Sequence, residues 1–201
     1  MPPLNNAVLS ASSAYRWLEC PPSALATADI PDETTIYAQE GSAAHEMAEY
    51  KIRWHLGAKD LAPPNVGNFN AEEIDRYTDS YAYYATDKIE TIRKICPDAI
   101  VMVEQRLDFS NYVKDGFGTG DLVIVADDVL QVIDFKYGKG VTVSAELNPQ
   151  MMLYALGALN LYGYLYDIKT VKTAIVQPRL DNISEWEISV DELLEWAENT
   201  L

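Results

Sequence analysis

Residues 118–138 read GTGDLVIVADDVLQVIDFKYG. Two runs rich in β-branched residues, Asp121 to Ala126 and Val129 to Tyr137, are joined through Asp127-Asp128. Turn formers between two such runs predict a hairpin. Strand residues two apart share a face, so Asp134 and Lys136 project together while Ile133, Phe135 and Tyr137 face the other way. The hairpin carries Asp121 beside Asp134. Converging carboxylates repel unless a cation neutralises them, and hard oxygen ligands suit Mg²⁺ or Mn²⁺. A lysine on the same face holds or deprotonates a water, or stabilises charge developing on a phosphate. Glu104, in the strand before, adds a third carboxylate. Asp-x-Lys alone is a common cross-strand ion pair; the upstream Gly-x-x-Asp raises this one above that reading.

Outward from the hairpin, Ala99 to Leu107 (AIVMVEQRL) reads as a further strand. Pro149 to Leu161 reads as a helix with proline in its first turn, and Val171 to Gln177 as another strand. Ser189-Val-Asp-Glu192 fits a capping box opening a final helix that runs to Leu201. Before the strands come three helices. The first spans Leu9 to Cys20, capped at Ser12 and stopped by Pro21-Pro22. A loop from Thr27 to Tyr37 leads to the second, Gly41 to Leu56, with Met47, Tyr50 and Trp54 on one face and His45 and Glu49 on another. A loop from Ala62 to Asn70 leads to the third, Ala71 to Ile95, with Ile74, Tyr77, Tyr81 and Tyr84 as its apolar stripe. That stripe reads as core rather than as a base-stacking platform. The order predicts an α/β fold, a small mixed sheet flanked by helices.

The 201 residues make one domain, and 48% hydrophobic with 23% charged residues is globular. Lys+Arg number 15 against 31 Asp+Glu, a net charge of −16. That excludes a non-specific DNA or anionic-membrane coat, which needs a basic surface. Two cysteines, Cys20 and Cys96, make no disulfide framework and suit a reducing cytoplasm. The first residues carry no signal-peptide pattern, and no apolar run is long enough for a membrane helix. The expectation is a soluble cytoplasmic protein. The last helix has no stop signal, which points to a chain truncated after residue 201.

In chain order the sequence holds Gly41-Ser-Ala-Ala-His45, Glu104, Gly118-Thr-Gly-Asp121, Asp134-Phe-Lys136 and Gln150-Met-Met-Leu-Tyr154. This series resembles the PD-(D/E)xK nuclease superfamily. More narrowly it resembles the RecB-type and CRISPR-associated exonucleases, whose motifs are GxxxH, E, GxxD, DxK and QxxxY. Ser13 to Pro21 also looks like the start of that branch. Within it the chain looks like uncharacterised phage and prophage proteins grouped as a domain of unknown function. The resemblance implies a restriction-endonuclease-like core, α-β-β-β-α-β. It implies that Asp121, Asp134, the Phe135 carbonyl and His45 ligate Mg²⁺ or Mn²⁺. Lys136 then positions the attacking water, Glu104 is the acidic residue before GxxD, and Gln150 and Tyr154 support the lysine and contact nucleic acid. Many relatives hold a [4Fe–4S] cluster on one N-terminal cysteine and three after QxxxY. Cys20 matches the first position, but no cysteine follows Tyr154, so Cys20 is an orphan ligand unless a cysteine-bearing segment is missing.

The expected function is a metal-dependent deoxyribonuclease, an exonuclease hydrolysing DNA phosphodiesters in phage recombination or replication, in the bacterial host cytoplasm if phage-encoded. The expected partners are DNA and phage recombination or replication proteins, and not a membrane. The rival readings are an inactive nuclease-fold module that grips nucleic acid or a partner protein, and an acidic DNA mimic. The basic residues form only two loose groups, Lys51, Arg53 and Lys59, and Lys136 and Lys139, which predicts weak, salt-sensitive DNA affinity.

Overall fold

The computed structural model describes residues 7–26 and 35–201. Of the expected loop from Thr27 to Tyr37, residues 27–34 lie outside these, as do residues 1–6 of the leader reading. The elements are α1 (Ala14–Glu19), α2 (Pro22–Ala26), α3 (Ile36–His55), α4 (Ala71–Ile95), β1 (Ile100–Asp108), β2 (Phe117–Ala126), β3 (Val129–Phe135), α5 (Pro149–Tyr162), β4 (Thr170–Gln177), β5 (Asn182–Ser189) and α6 (Val190–Thr200). The sheet runs β1-β2-β3-β4-β5, antiparallel except for the parallel pair β3 and β4 that α5 connects. This is the mixed α/β architecture expected, with the order α-β-β-β-α-β at its centre.

Alternation along the strands sorts the core into two layers. Leu122, Ile124, Ile133, Phe135, Ala174 and Val176 pack with Ala44, Ala48 and Ile52 of α3 and Ile74, Tyr81, Ala85 and Ile89 of α4. Val123, Val125, Leu130, Val132, Val171 and Ile175 pack with α5, α6 and the N-terminal helices. The helices cap as their sequences dictate. Asn70 accepts from Glu73 N–H, Asn148 from Gln150 and Met151 N–H, and Ser189 with Glu192 closes the capping box.

Four readings change. The helix expected at Gly41 begins at Ile36, because Thr35 accepts the Ala38 N–H and caps it there. Its buried face is Ala44, Ala48 and Ile52, small residues that let α4 approach; Trp54 lies outside, 47% exposed, beneath the Lys59 ammonium. Ser12 does not cap the first helix: a single 3₁₀ turn covers Ala11–Ser13 and α1 follows it directly, while Pro22 opens α2 instead of ending structure. β5 was not expected at all. Its second half, Glu-Trp-Glu-Ile-Ser, alternates polar and apolar, the pattern of an edge strand with one solvated face, while Ile183 lies on the exposed side.

Candidate active site

Val103 and Leu122 pair across β1 and β2, as do Gln105 and Gly120. Glu104, between these pairs, has φ +53°, a left-handed conformation uncommon outside glycine. The kink changes which residues face which layer. Before it Val103 faces α3 and α4; after it Leu107 faces α5. On β2 the change falls at Asp121, because Leu122 faces α3 whereas added side chains at Gly118 and Gly120 would strike Tyr154 and Leu107 on the α5 side. Both strands thus turn Glu104 and Asp121 toward α3 where the sheet splays. His45 waits there: its Nδ1 is 3.3 Å from Asp121 Oδ1.

The β2–β3 ladder stops at Leu122 and Ile133. The next donor on β3, the Phe135 N–H, is taken at 2.6 Å by Asp121 Oδ2, and Lys136 N–H turns to Val176 on β4. Asp121 therefore holds the strand end that presents Asp134 and Lys136. Those two face α5, as alternation predicts. Lys136 Nζ donates to Gln150 Oε1 at 2.7 Å and lies 3.1 Å from Asp134 Oδ2. Gln150 Nε2 donates to Asp134 Oδ1 at 3.0 Å and to the Tyr154 hydroxyl at 3.2 Å. The ring of Tyr154 sits where a Cβ on Gly118 would be, 2.7 Å from its nearest atom, which gives the glycine of Gly-x-x-Asp a steric purpose.

The site thus has two halves. On the α3 side, ligand atoms of His45, Glu104 and Asp121 lie within 4.8 Å of one another. On the α5 side stand Asp134, Lys136, Gln150 and Tyr154. Asp134 does not join the first set, although sequence placed it among the metal ligands. The Phe135 backbone is tied into the site through its N–H. A cleft of about 580 Å³ spans both halves. Burial drives the Asp134 carboxyl above its ordinary value, against the pull of Lys136. Burial and the neighbouring Asp121 push Glu104 up to about 7. Burial pulls His45 down, but Asp121, Asp134 and Glu104 together outweigh it and raise the imidazole to about 9.

A hard divalent cation fits this donor set, two carboxylates and an imidazole. Asp134 Oδ2 is buried, and its polar neighbour is the Lys136 ammonium, 3.1 Å away. A [4Fe–4S] cluster does not fit the chain. Cys20 is exposed, Cys96 is buried and donates to Asp98, and none follows Tyr154.

Sequence reasoning missed Tyr81 as a site residue. It is 1% exposed, stacks on Phe135 at 4.6 Å, and lines the same depression as His45, Glu104 and Asp121. Its helical spacing looks like that of any core aromatic. Thr119, two residues before Asp121, also lines the cleft, and alternation along β2 was the signal for it. No helix among the described residues is long and apolar enough to cross a membrane.

A family model described as "Protein of unknown function (DUF2800)" matches residues 6–201. A solved structure described as "Crystal structure of SSO0001" is 18% identical over 93% of this chain and 85% of that one, with a TM-score of 0.27. At that score the likeness carries no argument.

Proposed function

The chain belongs to the DUF2800 family, and we propose that it is a divalent-metal-dependent nuclease hydrolysing DNA phosphodiester bonds, in the manner of the PD-(D/E)xK exonucleases its motifs resemble. The observation that carries this reading is the meeting of His45, Glu104 and Asp121 with Asp134, Lys136 and Gln150 around one cleft. Residues so distant in sequence are brought together by strand kinking and by a part-buried hydrogen-bond chain, and gathering several carboxylates in partly buried positions is costly without a use.

His45, Glu104 and Asp121 would hold Mg²⁺ or Mn²⁺. A bound ion of this kind polarises a phosphate and lowers the pKa of a bound water. The chain's own groups do the rest. Gln150 Oε1 accepts a hydrogen bond from the Lys136 ammonium and so fixes its direction. Lys136 orients the attacking water and offsets negative charge as the phosphate is attacked. Asp121, by holding the Phe135 N–H, keeps the end of β3 in place beneath the reacting atoms. An exonucleolytic mode in phage recombination or replication is part of the same proposal, carried by the motif resemblance.

The test is digestion of linear and circular DNA by the purified chain with Mn²⁺ or Mg²⁺. Asp121→Ala and Lys136→Ala abolish cutting while melting within a few degrees of wild type, and a covalently closed circle resists. Cutting at the wild-type rate by both variants refutes the proposal. Mn²⁺ binding without any cutting replaces it with the non-catalytic module.

A further inference from the structure

Of the basic residues that the sequence grouped, Lys59 lies over the Trp54 ring and the other four are held by acceptors. Lys51 is held by Asp75 and Asp79, Arg53 by Glu49 and the Val103 carbonyl, Lys139 by Glu73, and Lys136 by Asp134 and Gln150. Arg106 differs. It is exposed and, among the described residues, makes no close ion pair, although it acts electrostatically on Asp108 of the same strand. Its guanidinium lies 3.5 Å from the centre of the Phe117 ring.

The position of this pair follows from register. Arg106 is opposite Thr119, and Leu107 is opposite Gly118. Leu107, Gly118 and Gly120 face the α5 layer. By alternation Glu104 and Arg106 on β1, and Phe117, Thr119 and Asp121 on β2, share the other face. Beyond Glu104 that face is open, for Arg106 and Thr119 are both exposed. The row therefore leads straight from the acidic triad. Arg106 stands about 7 Å along β1 from Glu104, two strand residues on, and Thr119 bridges it to the cleft.

We propose that the Arg106–Phe117 pair is a stacking platform for an unpaired nucleobase, placed where a single strand leaves the cleft. This rests on the nuclease reading for its polarity but on separate residues for its chemistry. The phenyl ring beneath holds the guanidinium flat, and the free outer face of a flat guanidinium stacks on a base. Its N–H edge stays available to phosphate oxygens. A paired base offers no such face, so the platform selects single-stranded over double-stranded nucleic acid. An exposed cation is also what an otherwise acidic protein needs to retain a polyanion beside carboxylates.

The experiment measures affinity of the full chain for a fluorescein-labelled oligo-dT by anisotropy, in Ca²⁺ buffer so that the strand survives. Arg106→Ala weakens binding about fivefold or more, the low end of what loss of one stacked base costs. Arg106→Lys, which keeps the charge but loses the plane, weakens it almost as much, and Phe117→Ala follows. For an abasic oligomer of equal length, Arg106→Ala costs clearly less affinity than it does for oligo-dT, because only the charge is then lost. Circular dichroism melts confirm that the variants fold. If Arg106→Lys binds oligo-dT as wild type does, the platform is refuted and only charge acts there. If wild type shows no affinity for oligo-dT, the platform falls as well. Platform-dependent binding without cleavage in Mn²⁺ keeps the platform and refutes the hydrolase; cleavage with no effect at Arg106 does the reverse.

Discussion

Gly157 lies in the middle of α5, where alanine normally stabilises a helix by about 1 kcal/mol. Here the sign reverses. A Cβ at this position would stand 2.9 Å from Leu107 Cβ, 3.0 Å from the Leu107 carbonyl carbon and 3.2 Å from Asp108 N. Two of these are backbone atoms of β1, so no side-chain rotation relieves them. Leu107 is itself fully buried. α5 must lift from the sheet by a few tenths of an ångström, and such overpacking costs about 1–3 kcal/mol. The upper part of that range applies to a backbone clash, which leaves Gly157→Ala less stable by about 1–2 kcal/mol after the helix gain. For a chain of this size that lowers the melting temperature by roughly 2–8 °C. Gly41 supplies the contrast. It too is helical, in α3, yet nothing lies within 4 Å of an added Cβ, so Gly41→Ala gains up to about 1 kcal/mol. Urea denaturation followed at 222 nm, with thermal melts, measures both. A Gly157→Ala protein as stable as wild type, or more so, refutes the close packing of α5 on β1.

Glu104→Gly is expected to be more stable than Glu104→Ala by about 1 kcal/mol, since only glycine adopts φ +53° without strain; equal urea midpoints would count against the kink. Tyr81 is buried with a hydroxyl that has no partner, and a stranded hydroxyl costs about 1–3 kcal/mol. Tyr81→Phe keeps the stacking on Phe135 and should raise the metal-free melting temperature; a fall would reveal a partner for the hydroxyl. Stability should also depend on pH. Glu104 is raised from 4.5 to about 7, and His45 from 6.5 to about 9. The stability each lends is complete below its unfolded value and lost as pH rises through the folded one. Metal-free protein therefore weakens between about pH 4.5 and 9. Mn²⁺ competes with those same protons, so its stabilising effect in scanning fluorimetry should grow from pH 6 to pH 8; a shift independent of pH would contradict this.

The centre of the fold was legible because its signals are local and strong. The Asp127-Asp128 turn, the period-2 runs on either side and the Asn-Pro start of α5 each specify their own element. The α5 half of the site was legible for the same reason, since Asp134 and Lys136 alternate on one strand and Gln150 and Tyr154 share a helical face. The α3 half was not. Placing His45 against Asp121 and Glu104 depends on a left-handed residue in β1 that no propensity marks, and that kink also separates Asp134 from the triad. The spacing that puts Met47, Tyr50 and Trp54 on one face did not reveal which face is buried, because the contact between α3 and α4 selected alanines. β5 was overlooked because five of its eight residues are polar and Ser184-Glu185 interrupts the alternation.

The two halves of the site belong to different layers of the molecule. His45 rides on α3, Gln150 and Tyr154 ride on α5 across the sheet, and the carboxylates and Lys136 sit on the strands between. The bond from Phe135 N–H to Asp121 and the contact of the Phe135 ring with His45 tie the two halves together. A ligand that touches both halves is therefore also a fastener between layers, and its binding energy appears as resistance to their separation. Amide hydrogen exchange would register this far from the cleft, as slower opening along α3 and α4 when the site is filled. In such a molecule, loading the site and tightening the fold are one event.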